Sequence, residues 1–264
     1  MVVTDTIKFL KESTKTKTMS SYQTFAYLYD ELTQNVEYEK RCDYIHSFFE
    51  KDNIKSGVIL DLACGTGSMS IPFIKKGYSI IGIDCSEDML EIASERLSNK
   101  SNNFSLLKAK MQNFELSDKI DACICCLDSI NHLNNKSDVQ STFQNVYNSL
   151  KYNGLFIFDA NTVYKHNNVL ADNTFVFDEE DYYLVWDNEK IDDRTVRILL
   201  DMFIYNGSSY DRFSEEFCET AYTVEELSKM LKDTGFDNIK IYDELSLDKP
   251  KENSERIYFV CKKV

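Results

Sequence analysis

Val58–Ser86 reads VILDLACGTGSMSIPFIKKGYSIIGIDCS. A short apolar run carries an acid, Asp61, near its end; a loop with Gly65 and Gly67 follows; after an intervening amphipathic run, a second apolar run stops at Asp84. Strand, glycine loop, helix and strand in that order make one unit of a parallel sheet. Glycines let a ligand approach the loop backbone, and a helix starting there offers unpaired N–H groups. A dinucleotide site would use G-x-G-x-x-G, but Gly65 and Gly67 are followed by Met69 and Ser70 with no third glycine. Asp84 closes the second strand, where a carboxylate can accept hydrogen bonds from both hydroxyls of an adenosine ribose. The two acids then bracket a ligand carrying a ribose and a positive end.

Outward from this unit the alternation continues. Tyr38 to Glu50 has helical spacing, and "SEDMLEIASERL", "NFSLLKA", "DACICCLD", "SDVQSTFQNVYNSL" and "GLFIFDAN" follow as alternating helix and strand signals. Ser137 with Gln140, and Thr223 with Glu226, have capping-box spacing. After Asn161 the rhythm changes to long strands with polar turns, Asn206-Gly207 being a hairpin signal. The expected organisation is a loose extension over residues 1–20, an α/β core over residues 21–170 and 221–264, and a three-stranded antiparallel insertion within residues 171–220. The core is expected to be a mostly parallel seven-stranded sheet with helices on both faces, and the insertion a lid over it.

Composition narrows the class. The 264 residues carry a formal charge of −14, which repels a phosphate backbone and argues against a nucleic-acid substrate. No apolar run approaches the roughly 18 residues of a bilayer span, so no membrane partner is expected. The amino terminus lacks the apolar block of a secretory signal. Eight cysteines without a framework spacing suit a reduced cytoplasm. Cys123 and Cys126 form a C-x-x-C, but two further short-spaced ligands are missing, so no metal is expected and a buried strand is the simpler reading.

"LDLACGTG" and "GIDCSEDML" resemble the glycine-loop and ribose-binding motifs of Rossmann-like S-adenosylmethionine-dependent methyltransferases. "YQTFAYLYDEL", "CCLDSINHL" and "GLFIFDAN" extend the resemblance to a small-molecule branch that includes amino-sugar N,N-dimethyltransferases, over roughly residues 20–264. The resemblance implies S-adenosyl-L-methionine as cofactor and a small cytoplasmic methyl acceptor, and leaves the oligomeric state open. It places Ala63 and Gly65 at the methionine end, Asp61 in support, Asp84 on the ribose, and Cys85 and Met89 beside the adenine. Tyr22 would close over the cofactor, and Leu127 would pass its backbone near the sulfonium. Asp128, Asn131, Asn161, Trp186 and Phe217 fall on the acceptor side, although Trp186 could equally staple the insertion to the core.

Four positions depart from the family pattern. Lys110 stands where an Asp usually receives the adenine amino group, which leaves Met111, Gln112 or backbone to do so. Phe217 and Thr220 replace a His and an Arg, and Ala63 replaces the first loop glycine.

Methyl transfer from a sulfonium depends mainly on holding nucleophile and methyl carbon in line. A base helps when the acceptor arrives protonated, and His132 is the candidate, histidine being the side chain that titrates near neutrality. His132 could instead cap a loop; His46 and His166 read as structural or exposed. Tyr22 and Tyr29 could set ring faces near the sulfonium or simply fill core. The acidic run "FDEEDYY" could attract an amine or form a solvated edge. Two rival readings are a cofactor-binding sensor without transfer activity and a nucleic-acid methyltransferase. The latter lacks its Asn-Pro-Pro-aromatic signature, because Asp128-Ser129-Ile130-Asn131 stands in its place.

Overall fold

The computed structural model describes residue 33 and residues 36–264. Tyr22 and Tyr29 lie outside the described residues, so the structure adds nothing to either expectation.

The core sheet has seven strands in the order β10-β11-β5-β4-β1-β2-β3. They are β1 (Val58–Leu62), β2 (Ser79–Asp84), β3 (Phe104–Lys108), β4 (Ile120–Cys125), β5 (Leu150–Asn161), β10 (Phe236–Asp243) and β11 (Arg256–Lys263). β1 to β5 pair in parallel, whereas β11 runs antiparallel between β5 and β10. Side chains alternate across a strand, so each strand feeds two cores. On one face Leu60, Leu62, Cys123, Cys125, Phe156 and Phe158 pack with α4 (Lys136–Ser149) and α5 (Val224–Thr234). On the other, Ile59, Ala122, Ile124, Cys126 and Ile157 pack with α1 (Tyr38–Lys51) and α2 (Ser70–Lys75). The same alternation explains the C-x-x-C. Three residues apart on a strand means opposite faces, and Cys123 and Cys126 belong to different cores, so the two thiols cannot share a ligand. Both are buried, and burial pushes both thiols well above the ordinary range.

The insertion has four strands where three were expected. β6 (Thr174–Asp178), β7 (Tyr182–Lys190), β8 (Thr195–Tyr205) and β9 (Tyr210–Thr220) form one antiparallel sheet in chain order. The extra strand is β6, whose five residues are too short to carry a clear alternation; it is recruited by pairing with β7, Phe175 facing Trp186. Asn206-Gly207 does lie in the β8–β9 turn, where the Asn206 side chain accepts the N–H groups of Ser208 and Ser209. A Val163–Lys165 helical turn and a His166–Leu170 π turn lead from β5 into this sheet.

Two helix starts can be compared with expectation. α5 has the full capping box: Thr223 accepts from the Glu226 N–H, and Glu226 accepts from the Thr223 N–H. α4 starts two residues earlier than the Ser137 signal, because the Asn135 side chain captures the Asp138 N–H. Pro72 sits inside the first turn of α2, where its missing N–H costs no helical bond. Replacing Thr223 with alanine is expected to lower stability by about 1 kcal/mol in urea unfolding, with no change in the slope of the transition.

Candidate functional site

The strand order reverses between β1 and β4, and ligands of open α/β sheets gather beyond the carboxyl ends of strands at such a point. A cleft opens there, lined by Tyr38, Asp61, Ala63, Gly65, Leu127 and Ser129 among others. The loop after β1 makes it possible. Ala63, Gly65 and Gly67 have φ of 59°, 52° and 76°, so the chain coils in the left-handed region and leaves its backbone facing the cleft. Gly67 also needs its small size, because a Cβ there would stand 3.3 Å from the Ala93 side chain. α2 is only six residues long and starts three residues beyond Gly67, so the loop amides themselves, rather than a long helix dipole, offer the donors.

The two acids of the opening stretch have different tasks. Asp84 accepts the Gly65 N–H on one oxygen and the Ser86 N–H on the other, each at 2.9 Å. It therefore pins the glycine loop to the end of β2 and keeps a lone pair on each oxygen for another donor. Burial raises its pKa, against the opposing pull of those backbone bonds. Asp61 is 1% exposed and accepts the Ser70 hydroxyl at 2.5 Å. Burial pushes it up to about 6; Ser70 holds it down somewhat, and the negative charge of Asp84 adds to the rise. A carboxyl so placed on the wall of a cleft is poised for a cation.

The opposite wall is the turn after β4. Leu127 and Asp128 are consecutive non-glycine residues with φ of 57° and 53°. Left-handed backbone costs such residues roughly 1–2 kcal/mol each. The turn is held because Asp159, at the end of β5 and inaccessible to solvent, accepts the Leu127 N–H at 2.9 Å and the Asp128 N–H at 2.7 Å. Arg256, at the start of β11, then bridges Asp159 at 2.5 Å and Asp128 at 2.8 Å. Burial alone would raise the Asp128 pKa; Arg256, with Lys165 and His132, outweighs it and brings the group down to about 2.

Beyond this turn a polar cluster joins the core to the insertion. His132 ends the Ser129–His132 3-10 turn, is 45% exposed, lies against the Phe217 ring at 5.1 Å between centroids, and has Nε2 3.7 Å from Glu219 Oε1. The Asn161 amide donates to Asp128 at 2.7 Å and to Glu219 at 3.4 Å.

The expected site residues divide accordingly. Asp61, Ala63, Gly65 and Leu127 line the cleft, and Asp84 adjoins it through Gly65. Cys85 is exposed and Met89 half-buried at the start of α3 (Glu87–Ser98). Lys110 is exposed and pairs through its backbone with Asn113. Met111 is turned inward: its side chain packs on the core, and its carbonyl accepts the Asn145 amide, so it is poorly placed to read a base. Asn131 is wholly buried and uses its amide on the Asn161 and Thr220 backbones, which makes it a clip between core and insertion rather than an acceptor contact. Trp186 serves the insertion, packing on Phe175 and donating to Asn188. His166, read as structural or exposed, is 1% exposed. Asp159, Arg256 and Glu219 were missed. Asp159 carries the same signal as Asp61 and Asp84, an acid ending an apolar strand; Arg256 and Glu219 have no local signal.

Comparison with known proteins agrees with this geometry. Residues 59–154 match the methyltransferase domain family. The chain is 35% identical to the candidate methyltransferase YqeM of Bacillus subtilis (strain 168), over 92% of this chain and 97% of that protein. A crystal structure of an S-adenosylmethionine-dependent methyltransferase from Clostridium acetobutylicum ATCC 824 superposes with a TM-score of 0.84 at 33% identity, over 92% and 99% of the two chains. The chain belongs to the S-adenosylmethionine-dependent methyltransferase family. A more distant relative, the glycine/sarcosine N-methyltransferase of Aphanothece halophytica, is 25% identical over 90% of this chain and 88% of that one.

For this methyltransferase the raised Asp61 has a thermodynamic signature. Its carboxyl stays protonated to about pH 6 in the fold but only to about 3.9 in the unfolded chain, so folding takes up a proton between those values. The stabilisation is full below about pH 4 and is lost as pH rises through about 6, a change of roughly 3 kcal/mol at most. Asp61→Asn keeps an oxygen for Ser70. Its stability relative to the parent is expected to climb from about pH 4.5 and level off above pH 7, as read by urea unfolding across that range.

Proposed function

We propose that this methyltransferase acts on a nitrogen or oxygen of a small cytoplasmic molecule, and that a protonated amine is the acceptor the site suits best. The observation that carries this reading is the half-exposed imidazole of His132, set between the carboxylates of Asp128 and Glu219 beside the Leu127 turn. An imidazole so placed can remove the proton of an ammonium, the form in which an amine arrives near neutral pH. The N-methylating relative supports nitrogen. An amino sugar, the acceptor class suggested by the sequence motifs, is one member of this class.

The residues fit the donor. The left-handed backbone at Ala63 and Gly65 gives close approach, Asp84 has oxygens able to accept two ribose hydroxyls, and the carboxyl of Asp61 gains from an ammonium that relieves its buried charge. When bound, the donor supplies a methyl group already activated on a sulfonium. The chain's own residues then orient: Asp159 and Arg256 hold Leu127 against the cleft, while Phe217 and Glu219 hold His132. Lys110 is an exposed cation at the expected adenine edge, so base recognition falls to backbone groups or to Gln112. Residues 171–220 act as a lid supplying acceptor specificity, and residues 21–170 with 221–264 supply donor affinity.

Two measurements test the assignment. Asp84→Asn is expected to weaken S-adenosylmethionine binding at least tenfold in titration calorimetry, since a charged acceptor contributes about 1.5–3 kcal/mol; unchanged affinity in a folded variant would remove Asp84 from the ribose. His132→Ala is expected to lower turnover on a mixture of small amines by roughly two orders of magnitude and to flatten the rise of rate with pH. Full turnover with the parent's pH profile would make His132 structural.

A further inference from the structure

His166 is the third histidine of the chain and has 1% of its side chain exposed. Its Nδ1 lies 2.8 Å from the Arg194 carbonyl oxygen. A carbonyl only accepts, so Nδ1 carries a hydrogen and donates it. In a neutral ring Nε2 would then be a bare lone pair. That atom is buried, has no hydrogen-bond partner among the described residues, and faces Glu219 Oε2 at 3.7 Å. A lone pair aimed at a carboxylate that is itself 6% exposed is unfavourable in the interior, and a proton on Nε2 turns the repulsion into a charge pair. The other oxygen of Glu219 faces His132 Nε2, also at 3.7 Å.

We infer that His166, Glu219 and His132 form a relay in which Glu219 is a positioning residue for the base. This rests on the reading of His132 given above. His166 holds the standing positive charge, so Glu219 is already balanced and does not keep His132 permanently protonated. Glu219 Oε1 selects the His132 form with hydrogen on Nε2, which leaves Nδ1 as the acceptor. The N–H bond of an incoming ammonium breaks with its electron pair staying on nitrogen, and the proton passes to Nδ1. The resulting imidazolium is stabilised by Glu219 and Asp128. The remaining charged neighbours are engaged: Lys165 donates to Asn161, Arg194 pairs with Glu226, and Arg256 pairs with Asp128 and Asp159. Neither Glu219 nor His166 is marked by any motif, and their pairing arises where the end of β9 meets the π turn after β5.

The ring states can be read in the full chain without an acceptor, by long-range proton–nitrogen NMR of the imidazoles. At neutral pH His166 is expected to show both ring nitrogens protonated and His132 only Nε2. In Glu219→Gln, whose amide can donate to the bare nitrogen, His166 should become neutral with hydrogen on Nδ1, and His132 should lose its preference. A neutral His166 in the parent protein overturns the inference even if the variant fails to fold, and so does a His132 signal indifferent to Glu219→Gln. In transfer assays His166→Gln should leave KM within about threefold and move the pH–rate profile to higher pH, with Glu219→Asp retaining more activity than Glu219→Gln; unmoved profiles would also overturn it. If the ring states are as expected but His132→Ala keeps full turnover, the charge pairing stands and the base reading alone falls.

Discussion

The buried carboxylate of Asp159 is the contact on which the site depends. With its two oxygens it accepts the N–H groups of Leu127 and Asp128 and meets the guanidinium of Arg256, so one side chain joins the ends of β4, β5 and β11. The turn it holds is unfavourable by itself, two left-handed non-glycine residues in succession. Taking one partner from a buried pair of this kind typically costs about 3–5 kcal/mol, because the remaining charge has no water to return to. The strain in the turn and the charge in the interior stabilise each other. The outcome is a rigid wall facing the glycine loop.

The network reaches further than the turn. Arg256 also approaches Glu244 at 3.6 Å, and Glu244 accepts from Arg41 on α1, which in turn donates to Tyr258 on β11. The helix that precedes the sheet is thereby keyed to the strand that ends it. Tyr38, the first residue of that helix, lines the cleft. One chain of charges thus sets the position of groups contributed by residues more than two hundred positions apart in sequence.

Core and insertion differ in how they are built. The central parallel strands β1 and β4 are buried on both faces, so their sequences are nearly continuous apolar runs, whereas the edge strand β3 is half exposed. The insertion alternates instead, with Val196, Ile198, Leu200 and Met202 of β8 facing its own small core while Arg197 and Asp201 pair across the other side. Among the described residues its attachment to the core includes polar groups, Asn131 to Thr220 and Asn161 to Glu219, alongside the Phe217 ring on His132. Such a joint fixes direction strongly, since each buried amide has few satisfactory orientations.

What was legible in the sequence was whatever repeats at short range. The alternation of strand and helix, the glycine loop between two acids, the capping box at Thr223 and the Asn-Gly turn each lie within a few residues, and backbone stereochemistry converts them directly into local structure. The short strand β6 was not legible, because five residues show no period and its pairing with β7 decides it. The surroundings of Asn131 and Trp186 were not legible for a related reason: residue type says that a side chain is polar or large, but only its neighbours say whether its bonds are spent inside. Asp159, Arg256, Glu219 and His166 acquire their meaning from contacts across 28 to 97 positions. A buried charge is tolerated only where the fold delivers its partner, and that delivery is a property of the assembled strand ends, which no local stretch of this sequence contains.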